Sequence, residues 1–178
     1  MKIHHAFLLF LAVLITTPIY SQKSTFEKIG DVSQLAIPTI AGISTLILKD
    51  KKGTWQLMQS YGTTIAITYA LKYTINKKRP NGGDYAFPSG HTASAFSGAS
   101  FFQRRYGWKY GIPAYAIAVM TGYSRIYAKE HDGWDVLAGA IVGIGSSYIF
   151  TTPYQKEHIK LSLIKKDNSY LFGFIYRF

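Results

Sequence analysis

Long apolar segments separated by short basic breaks constrain the fold of this chain more than any other feature. Beyond the first 21 residues they lie at about Gln34–Leu48, Thr54–Tyr73, Ser89–Phe102, Tyr110–Tyr127 and Trp134–Phe150. Each is too long, and too rich in alanine, leucine and isoleucine, for a strand, so each predicts a helix. Glycine, proline and charged residues fill the connections, as is usual where helices end. We therefore predict an all-α protein, a compact bundle of five to six helices.

Length and composition favour a bundle that is embedded in a membrane or associated with one. Tyr110–Tyr127 and Trp134–Phe150 approach the roughly 20 apolar residues that cross a bilayer. Charged residues make up only 16% of the 178 residues, whereas a soluble domain averages about 25%. If the N-terminus stays inside, the basic breaks 49–53 and 103–109 fall on the cytoplasmic side, as the positive-inside rule prefers. The helix ends near Arg79 and Arg125 then share the outer face.

The two termini differ from the helical part. Residues 1–21 have the layout of a secretory signal: Lys2, an apolar run and then Pro18 and Ser21. Cleavage after Ser21 and an uncleaved first membrane helix both remain open, and either predicts export or insertion. Residues 22–155 form the predicted helical domain. Residues 156–178 alternate polar and apolar residues about an Asp-Asn pair, which predicts a C-terminal β-hairpin.

Charge and cysteine content restrict the partners. The formal net charge is +11, from 20 basic and 9 acidic residues, which favours anionic lipid headgroups or phosphorylated substrates. The basic residues lie in short clusters and no nucleic-acid-binding module accompanies them, so we expect no nucleic acid partner. The chain contains no cysteine, which excludes disulfides and a thiol nucleophile. No obligate protein partner is evident.

The first cluster of polar residues with a chemical meaning is Lys72…Arg79-Pro80. Lys72 and Arg79 are seven residues apart, two helical turns, so both can lie on one face near a helix end. Pro80 favours an extended Arg79 and a helix stop there. Alone, such a cluster is a solvated helix end whose cations pair with the dipole. We assign Lys77 and Lys78 that ordinary role.

The second cluster, Pro88-Ser89-Gly90-His91, precedes a helix-compatible run of small residues. Serine is a preferred N-cap, and an open helix N-terminus presents free N–H groups to an anion such as phosphate. Gly90 would let the anion approach the backbone closely. Alone, Ser89 is a cap and His91 an isolated polar residue.

The third cluster joins Ser124-Arg125 to His131 and Asp135. At i,i+4 on a helix, the Asp135 carboxylate can accept the His131 N–H, which fixes the tautomer and frees the other ring nitrogen. Arg125 fits if it ends the previous helix and points back. Asp132 is assigned to helix capping, since Asp-x-x-Asp before an apolar run does that.

Together and in this order, the clusters resemble the signature of the type-2 phosphatidic acid phosphatase and vanadium haloperoxidase family. All eleven specified positions of K-x6-R-P, P-S-G-H and S-R-x5-H-x3-D are filled. The resemblance covers about residues 54–150. Only seven residues separate Pro80 from Pro88 and no lid domain is visible, which leaves substrate selection open.

The resemblance implies hydrolysis of a phosphomonoester or diphosphate without metal or cofactor, through a phosphohistidine. His131 would attack phosphorus, Asp135 would orient it, and His91 would protonate the leaving oxygen as the general acid. Five groups would bind the phosphate oxygens: Lys72, Arg79, Ser89, the Gly90 amide and Arg125. Such preorganised donors stabilise the charge of a phosphoryl transition state.

Four functional hypotheses follow. The leading one is a phosphatase of a lipid phosphate, in the inner membrane with a periplasmic active site. Its candidate substrates are phosphatidic acid, phosphatidylglycerol phosphate, a polyprenyl diphosphate and lipid A. The alternatives are a soluble periplasmic acid phosphatase released by signal cleavage, a vanadate-dependent haloperoxidase and a non-enzymatic anion-binding protein.

Overall fold

The computed structural model describes residues 25–154, 159–166 and 169–176. The predicted helical bundle is confirmed, and each of the five apolar segments forms a helix. The helices are α1 (Thr25–Ile47), α2 (Lys51–Ile75), α3 (Gly90–Tyr106), α4 (Trp108–Tyr127) and α5 (Gly133–Phe150). The leader, residues 1–21, lies outside the described residues. The leader and the domain limits 22–155 therefore remain predictions.

Helix α3 is the central element, because it packs against α1, α2, α4 and α5. Its contact with α5 depends on small residues. A Cβ atom added at Gly139 would lie 2.5 Å from the Ser89 carbonyl oxygen, and one at Gly143 would lie 2.4 Å from the Ala93 carbonyl oxygen. We call this contact, formed by Gly139 and Gly143 against residues 89–97, the α3–α5 seam. It brings the two helix backbones into close contact.

Small and polar side chains fill the interior, whereas large apolar side chains lie outside. Among the described residues, seven of the ten buried apolar residues are alanine. Serine and threonine are buried at many further positions on α2, α3 and α4. Large apolar side chains such as Leu46, Ile112 and Ile149 are exposed on the outer faces of the helices. The bundle therefore interlocks through small residues, the packing typical of membrane helices.

The end of α2 differs from the prediction. The helix stops at Ile75, because Asn76 adopts the left-handed conformation at φ 41° and its amide bonds the Lys72 carbonyl. Asparagine tolerates this conformation, so it can end a helix without a proline. Arg79 lies beyond the end, and the expectation that Lys72 and Arg79 share one helix face was wrong.

The opposite end of the bundle is held by a buried ion pair. Arg105 donates to both carboxylate oxygens of Asp50, at 2.8 and 2.6 Å. Asp50 also caps α2 by accepting from the Gly53 amide at 2.8 Å, and it accepts from the Tyr106 hydroxyl at 2.9 Å. One carboxylate thus joins the start of α2 to the end of α3.

The predicted C-terminal hairpin is confirmed. Strands β1 (Ile159–Lys166) and β2 (Ser169–Tyr176) pair in antiparallel register, with Ile159 opposite Tyr176 and Lys166 opposite Ser169. The predicted Asp-Asn turn at residues 167–168 lies outside the described residues.

Candidate active site

Residues of all three polar clusters line one pocket, at the end of the bundle where α3 and α5 begin. The pocket has a volume of about 210 Å³ and is lined by Asp31, Arg79, His91, Arg125, Glu130 and His131. The structure therefore brings together both histidines and two of the cations that the signature singles out. A larger cavity of about 670 Å³ lies at the opposite end near Arg105 and carries none of the predicted site residues.

Arg125 lies in the last turn of α4 and reaches back into the pocket, as the sequence predicted. Its side chain is buried, and all three guanidinium nitrogens are hydrogen-bonded. Nε donates to Ser124 Oγ at 3.0 Å, Nη1 to Asp31 Oδ1 at 2.7 Å, and Nη2 to the Glu27 carbonyl at 2.6 Å. The guanidinium plane is therefore fixed before any ligand arrives.

His91 occupies the second position of α3, one residue after the start. Ser89 is the N-cap and His91 projects into the pocket, where its Nε2 lies 3.1 Å from Asp31 Oδ1. The same carboxylate oxygen therefore contacts a candidate acid and a candidate phosphate-binding arginine.

Arg79 belongs to the loop between α2 and α3. Its Nη1 pairs with the Glu130 carboxylate, and its Nε donates to the Asp84 carbonyl at 3.0 Å. The loop is closed by a bond from the Arg79 amide to the Gly83 carbonyl at 2.7 Å. These bonds fix the position of the guanidinium, which lines the pocket.

His131 lies in the turn before α5, so it does not share a helix with Asp135. Asp132 is the N-cap and Asp135 completes a capping box, its Oδ2 accepting from the Asp132 amide at 3.1 Å. That oxygen also lies 3.6 Å from His131 Nδ1, within ion-pair range but longer than a hydrogen bond. His131 Nδ1 is buried without a hydrogen-bond partner among the described atoms.

Burial first, and then the nearby charges of Lys72 and Arg79, lower the pKa of His131 to about 4, against the smaller opposite effect of Asp135. Only 3% of the residue is exposed, which explains why burial contributes most. The imidazole is consequently neutral at pH 7, and one ring nitrogen keeps its lone pair. A neutral imidazole is the form that can attack phosphorus.

Ser89, Gly90 and Lys72, which the signature also singles out, are not among the residues that line the pocket. Ser89 is fully buried and accepts from the Thr92 amide and hydroxyl at 3.4 and 2.9 Å, so its capping role is confirmed. Its own amide donates to the Asp135 carbonyl at 2.9 Å. Lys72 Nζ donates to the Tyr85 carbonyl at 2.7 Å, and its Cε would lie 3.7 Å from a Cβ atom at Gly90.

Three comparisons with known proteins bear on this arrangement. A sequence model described as the PAP2 superfamily matches residues 81–159. A lipid A 4'-phosphatase of Helicobacter pylori is 31% identical over 187 aligned positions, which cover 96% of this chain and 94% of that protein. The chain belongs to the PAP2 superfamily. The predicted family is confirmed, and with it the enzyme class, a phosphoric monoester hydrolase.

Further similarities agree with this membership. A lipid A 1-phosphatase of Porphyromonas gingivalis is 38% identical over 68% of this chain, although the match spans only 29% of that longer protein. The crystal structure of Aquifex aeolicus LpxE superposes with a TM-score of 0.63 at 25% identity, covering 79% of this chain and 92% of that one.

The PAP2 signature does not include three charged groups that the structure adds to the site. Asp31 and Glu130 line the pocket, and Lys77 donates to Asp132 at 2.5 Å and to Asp135 at 2.8 Å. Lys77 was assigned to a solvated helix end, and this assignment was wrong. Its only signal in the sequence, a position beside Lys78 and Arg79, is shared by many exposed lysines.

Within the described residues, no group of three or more histidine, aspartate or glutamate side chains is arranged to hold a metal ion. The acidic groups of the pocket are instead paired with arginines. The expectation of a metal-free reaction remains a prediction for the chelation experiment below.

Proposed function

We propose that this PAP2 enzyme removes a phosphate from a phosphorylated lipid through a phosphohistidine intermediate, without metal or cofactor, at the periplasmic face of the inner membrane. The observation that carries the proposal is the pocket in which His91 and His131 lie with Arg79 and Arg125. Among the candidate lipids we favour lipid A, because relatives in two organisms are named lipid A phosphatases.

The first chemical step uses both histidines. A ring nitrogen of neutral His131 attacks phosphorus, and the P–N bond forms as the bond from phosphorus to the ester oxygen breaks. His91 donates a proton to the departing oxygen, so the lipid leaves as an alcohol. Asp135 stabilises the positive charge that develops on the His131 ring.

The second step returns the enzyme to its starting state. Water attacks the phosphohistidine while His91, now neutral, accepts a proton from it. The P–N bond breaks, His131 recovers its lone pair and inorganic phosphate leaves. His91 regains the proton that it donated in the first step.

The cations supply the electrostatic part of catalysis. Arg79 and Arg125 reach the pocket directly and would bind the equatorial oxygens once phosphate replaces their present carboxylate partners. Lys72, Ser89 and the Gly90 amide do not line the pocket, so we propose that they act through positive potential and through the orientation of α3.

The outer surface of the bundle supports a membrane location. By length and composition, one helix in the described part of the chain, α5, could cross a bilayer. Exposed aromatic residues mark both ends of two others: Trp55 and Tyr73 on α2, and Trp108 and Tyr127 on α4. At 1.5 Å per residue each pair is separated by about 27–29 Å, close to the roughly 30 Å of a bilayer core, whose boundaries favour such residues.

This surface also favours the membrane enzyme over the soluble acid phosphatase. Large apolar side chains cover the outer faces between the aromatic ends, and a monomeric soluble protein rarely exposes an apolar surface of this extent. The pocket would lie at one membrane interface, where a lipid phosphate group is found. The periplasmic orientation rests on the predicted leader and on the distribution of basic loops.

Phosphate release from lipid A and from phosphatidic acid, by protein purified in detergent, tests the proposal. We expect His131→Ala to lose activity by about a thousandfold or more, His91→Ala by about a hundredfold or more, and EDTA to leave the wild type active. Arg79→Gln should lose most of its activity, whereas its neighbour Lys78→Gln should not, because Lys78 pairs with Asp84 and is largely exposed.

Two further results would decide against parts of the mechanism. Full activity in His131→Ala would remove the nucleophile. Loss of activity on chelation would remove the metal-free step. Acid-labile, alkali-stable labelling of the wild type by a radioactive lipid phosphate, absent in His131→Ala, would identify the phosphohistidine directly.

A further inference from the structure

Asp31 lies on α1, outside the PAP2 signature and outside residues 81–159 that the family model matches. Its carboxylate nevertheless lines the pocket. Oδ1 contacts His91 Nε2 at 3.1 Å and Arg125 Nη1 at 2.7 Å. A single carboxylate oxygen thus contacts both His91, the proposed acid for the leaving oxygen, and Arg125, a proposed phosphate-binding residue.

The fold brings Asp31 to this position through a close helix contact. A Cβ atom at the preceding residue, Gly30, would lie 1.9 Å from Ser124 Oγ and 2.6 Å from Arg125 Nη2. Only glycine permits α1 to approach the end of α4 so closely. The approach places the Glu27 carbonyl on the Arg125 guanidinium as well.

The contact with His91 has a chemical consequence. An ionised carboxylate only accepts hydrogen bonds, so His91 Nε2 must carry a proton to bond with Asp31. Nε2 is therefore the protonated nitrogen that faces the pocket. A nearby negative charge also favours the charged form of an imidazole.

We propose that Asp31 is a positioning residue of the phosphatase reaction, which keeps a proton on Nε2 of His91 and holds Arg125 in place until phosphate binds. This inference rests on the proposed function, since it requires His91 to act as the acid. When substrate binds, the phosphate oxygens replace Asp31 as the hydrogen-bond partner of Arg125, and the ester oxygen replaces it as the partner of His91 Nε2. Asp31 therefore competes with phosphate for these groups while it prepares them.

The other charged groups around His91 do not duplicate this role. Arg125 faces it from α4, Arg79 from the loop after α2, and Glu130 and His131 from the turn before α5. Lys72 of α2 approaches the neighbouring Gly90. Glu130 is paired with Arg79, whereas Asp31 bonds the His91 ring.

The test compares the wild type with Asp31→Asn, which keeps the shape of the side chain and removes its charge. We expect two effects on phosphatidic acid hydrolysis in detergent micelles. The alkaline limb of the kcat/KM profile should move to lower pH by about one unit, because His91 loses the charge that favours its protonated form. Inorganic phosphate should inhibit about tenfold more tightly, because Arg125 loses a competing anion.

The matched control is Asp84→Asn, whose carboxylate pairs with the exposed Lys78 instead of facing the pocket. It should change neither the pH limb nor the phosphate inhibition. If Asp31→Asn does not fold, Asp31→Glu keeps the charge but displaces it by one methylene group. It should then lower kcat while the pH limb stays within about half a unit of the wild type.

Opposite outcomes would overturn the inference. A lower kcat or melting temperature in Asp31→Asn, with an unchanged pH limb and unchanged phosphate inhibition, would make Asp31 a structural residue only. An alkaline limb that moves by about one pH unit in Asp31→Glu, as far as expected for Asp31→Asn, would lead to the same conclusion. A wild type that releases no phosphate from any lipid would overturn the proposed function, and this inference with it.

Discussion

Adding one methyl group to the α3–α5 seam should destabilise the whole bundle. In Gly143→Ala the new Cβ would lie 2.4 Å from the Ala93 carbonyl oxygen and 2.7 Å from the Ser97 amide nitrogen. Ordinary contacts of a Cβ atom begin at 3.4 Å, so the new methyl group would overlap the carbonyl by about 1 Å. Both neighbours are backbone atoms of α3. The two helices must therefore separate, since no flexible side chain can move aside.

The expected magnitude combines two opposing effects. Overpacking a close contact costs about 1–3 kcal/mol, and backbone neighbours place Gly143→Ala in the upper part of that range. Replacing glycine by alanine within a helix contributes up to about 1 kcal/mol in the favourable direction. The net loss of unfolding free energy should be about 2 kcal/mol. Gly145→Ala is the matched control on the same helix, because a Cβ atom there meets nothing within 4 Å.

Thermal unfolding of both variants in one detergent measures the difference. For a chain of this size 1 kcal/mol corresponds to about 2–4 °C in Tm. We expect Gly143→Ala to melt about 4–8 °C below the wild type, and Gly145→Ala to melt at or slightly above it. Equal melting temperatures for the two variants would refute the close approach of α3 and α5, because the two substitutions differ only in what the new methyl group meets.

Three further predictions concern the site. Gly139→Ala should lower kcat at least tenfold, because its Cβ would lie 2.5 Å from the Ser89 carbonyl and displace the start of α3. Phosphate release at a temperature where the variant is folded measures this, and an unchanged kcat would show that the start of α3 can shift without affecting catalysis. The pKa of His131 is lowered from 6.5 to about 4, so between these pH values the folded state binds fewer protons than the unfolded state. The free energy of unfolding should therefore fall as the pH drops from 6.5 towards 4, by on the order of 3 kcal/mol in total. Unfolding in denaturant at a series of pH values checks this, and His131→Asn should remove that part of the dependence. Lys77→Gln removes the cation 2.8 Å from buried Asp135 and should lower the free energy of unfolding by about 2 kcal/mol. The acidic limb of the kcat/KM profile should also move to higher pH, because Lys77 no longer offsets the effect of the Asp135 charge on His131. A variant as stable as Lys78→Gln would contradict this prediction.

The sequence predicted the helical segments well where apolar composition determines them, and less well at their ends. Helix α1 begins at Thr25, nine residues before the predicted Gln34. The first turns of α1 carry Glu27, Lys28 and Asp31 and were not predicted as helix, because they are polar. Of these residues, Asp31 lines the pocket and the Glu27 carbonyl bonds Arg125. The polar start of α1 thus explains both why the helix begins earlier than predicted and why Asp31 carried no signal in the sequence.

The charged contacts of the site could be predicted only in part. The signature identified the histidines and Arg125, because fixed spacing marks them. The partners of those residues carry no such mark: Asp31 reaches Arg125 across 94 positions of sequence, and Lys77 reaches Asp135 across 58. Nothing local distinguishes these side chains from exposed ones. Their roles depend on how α1, α4 and α5 pack, which the spacing of a motif does not encode.

The capping box of α5 links local folding to chemical competence. The carboxylate of Asp135 that faces His131 also holds the first turn of α5, through the Asp132 amide. In the proposed mechanism His131 is the nucleophile, and its orientation by Asp135 would depend on that turn being wound. On the proposed mechanism, any influence that frays the start of α5, such as a change of bilayer thickness, would abolish activity while the proposed phosphate-binding residues stay in place. The turnover rate would then depend on how well the first turn of α5 is ordered. A loss of activity in Asp135→Ala would reflect both the loss of the helix cap and the loss of the carboxylate beside His131.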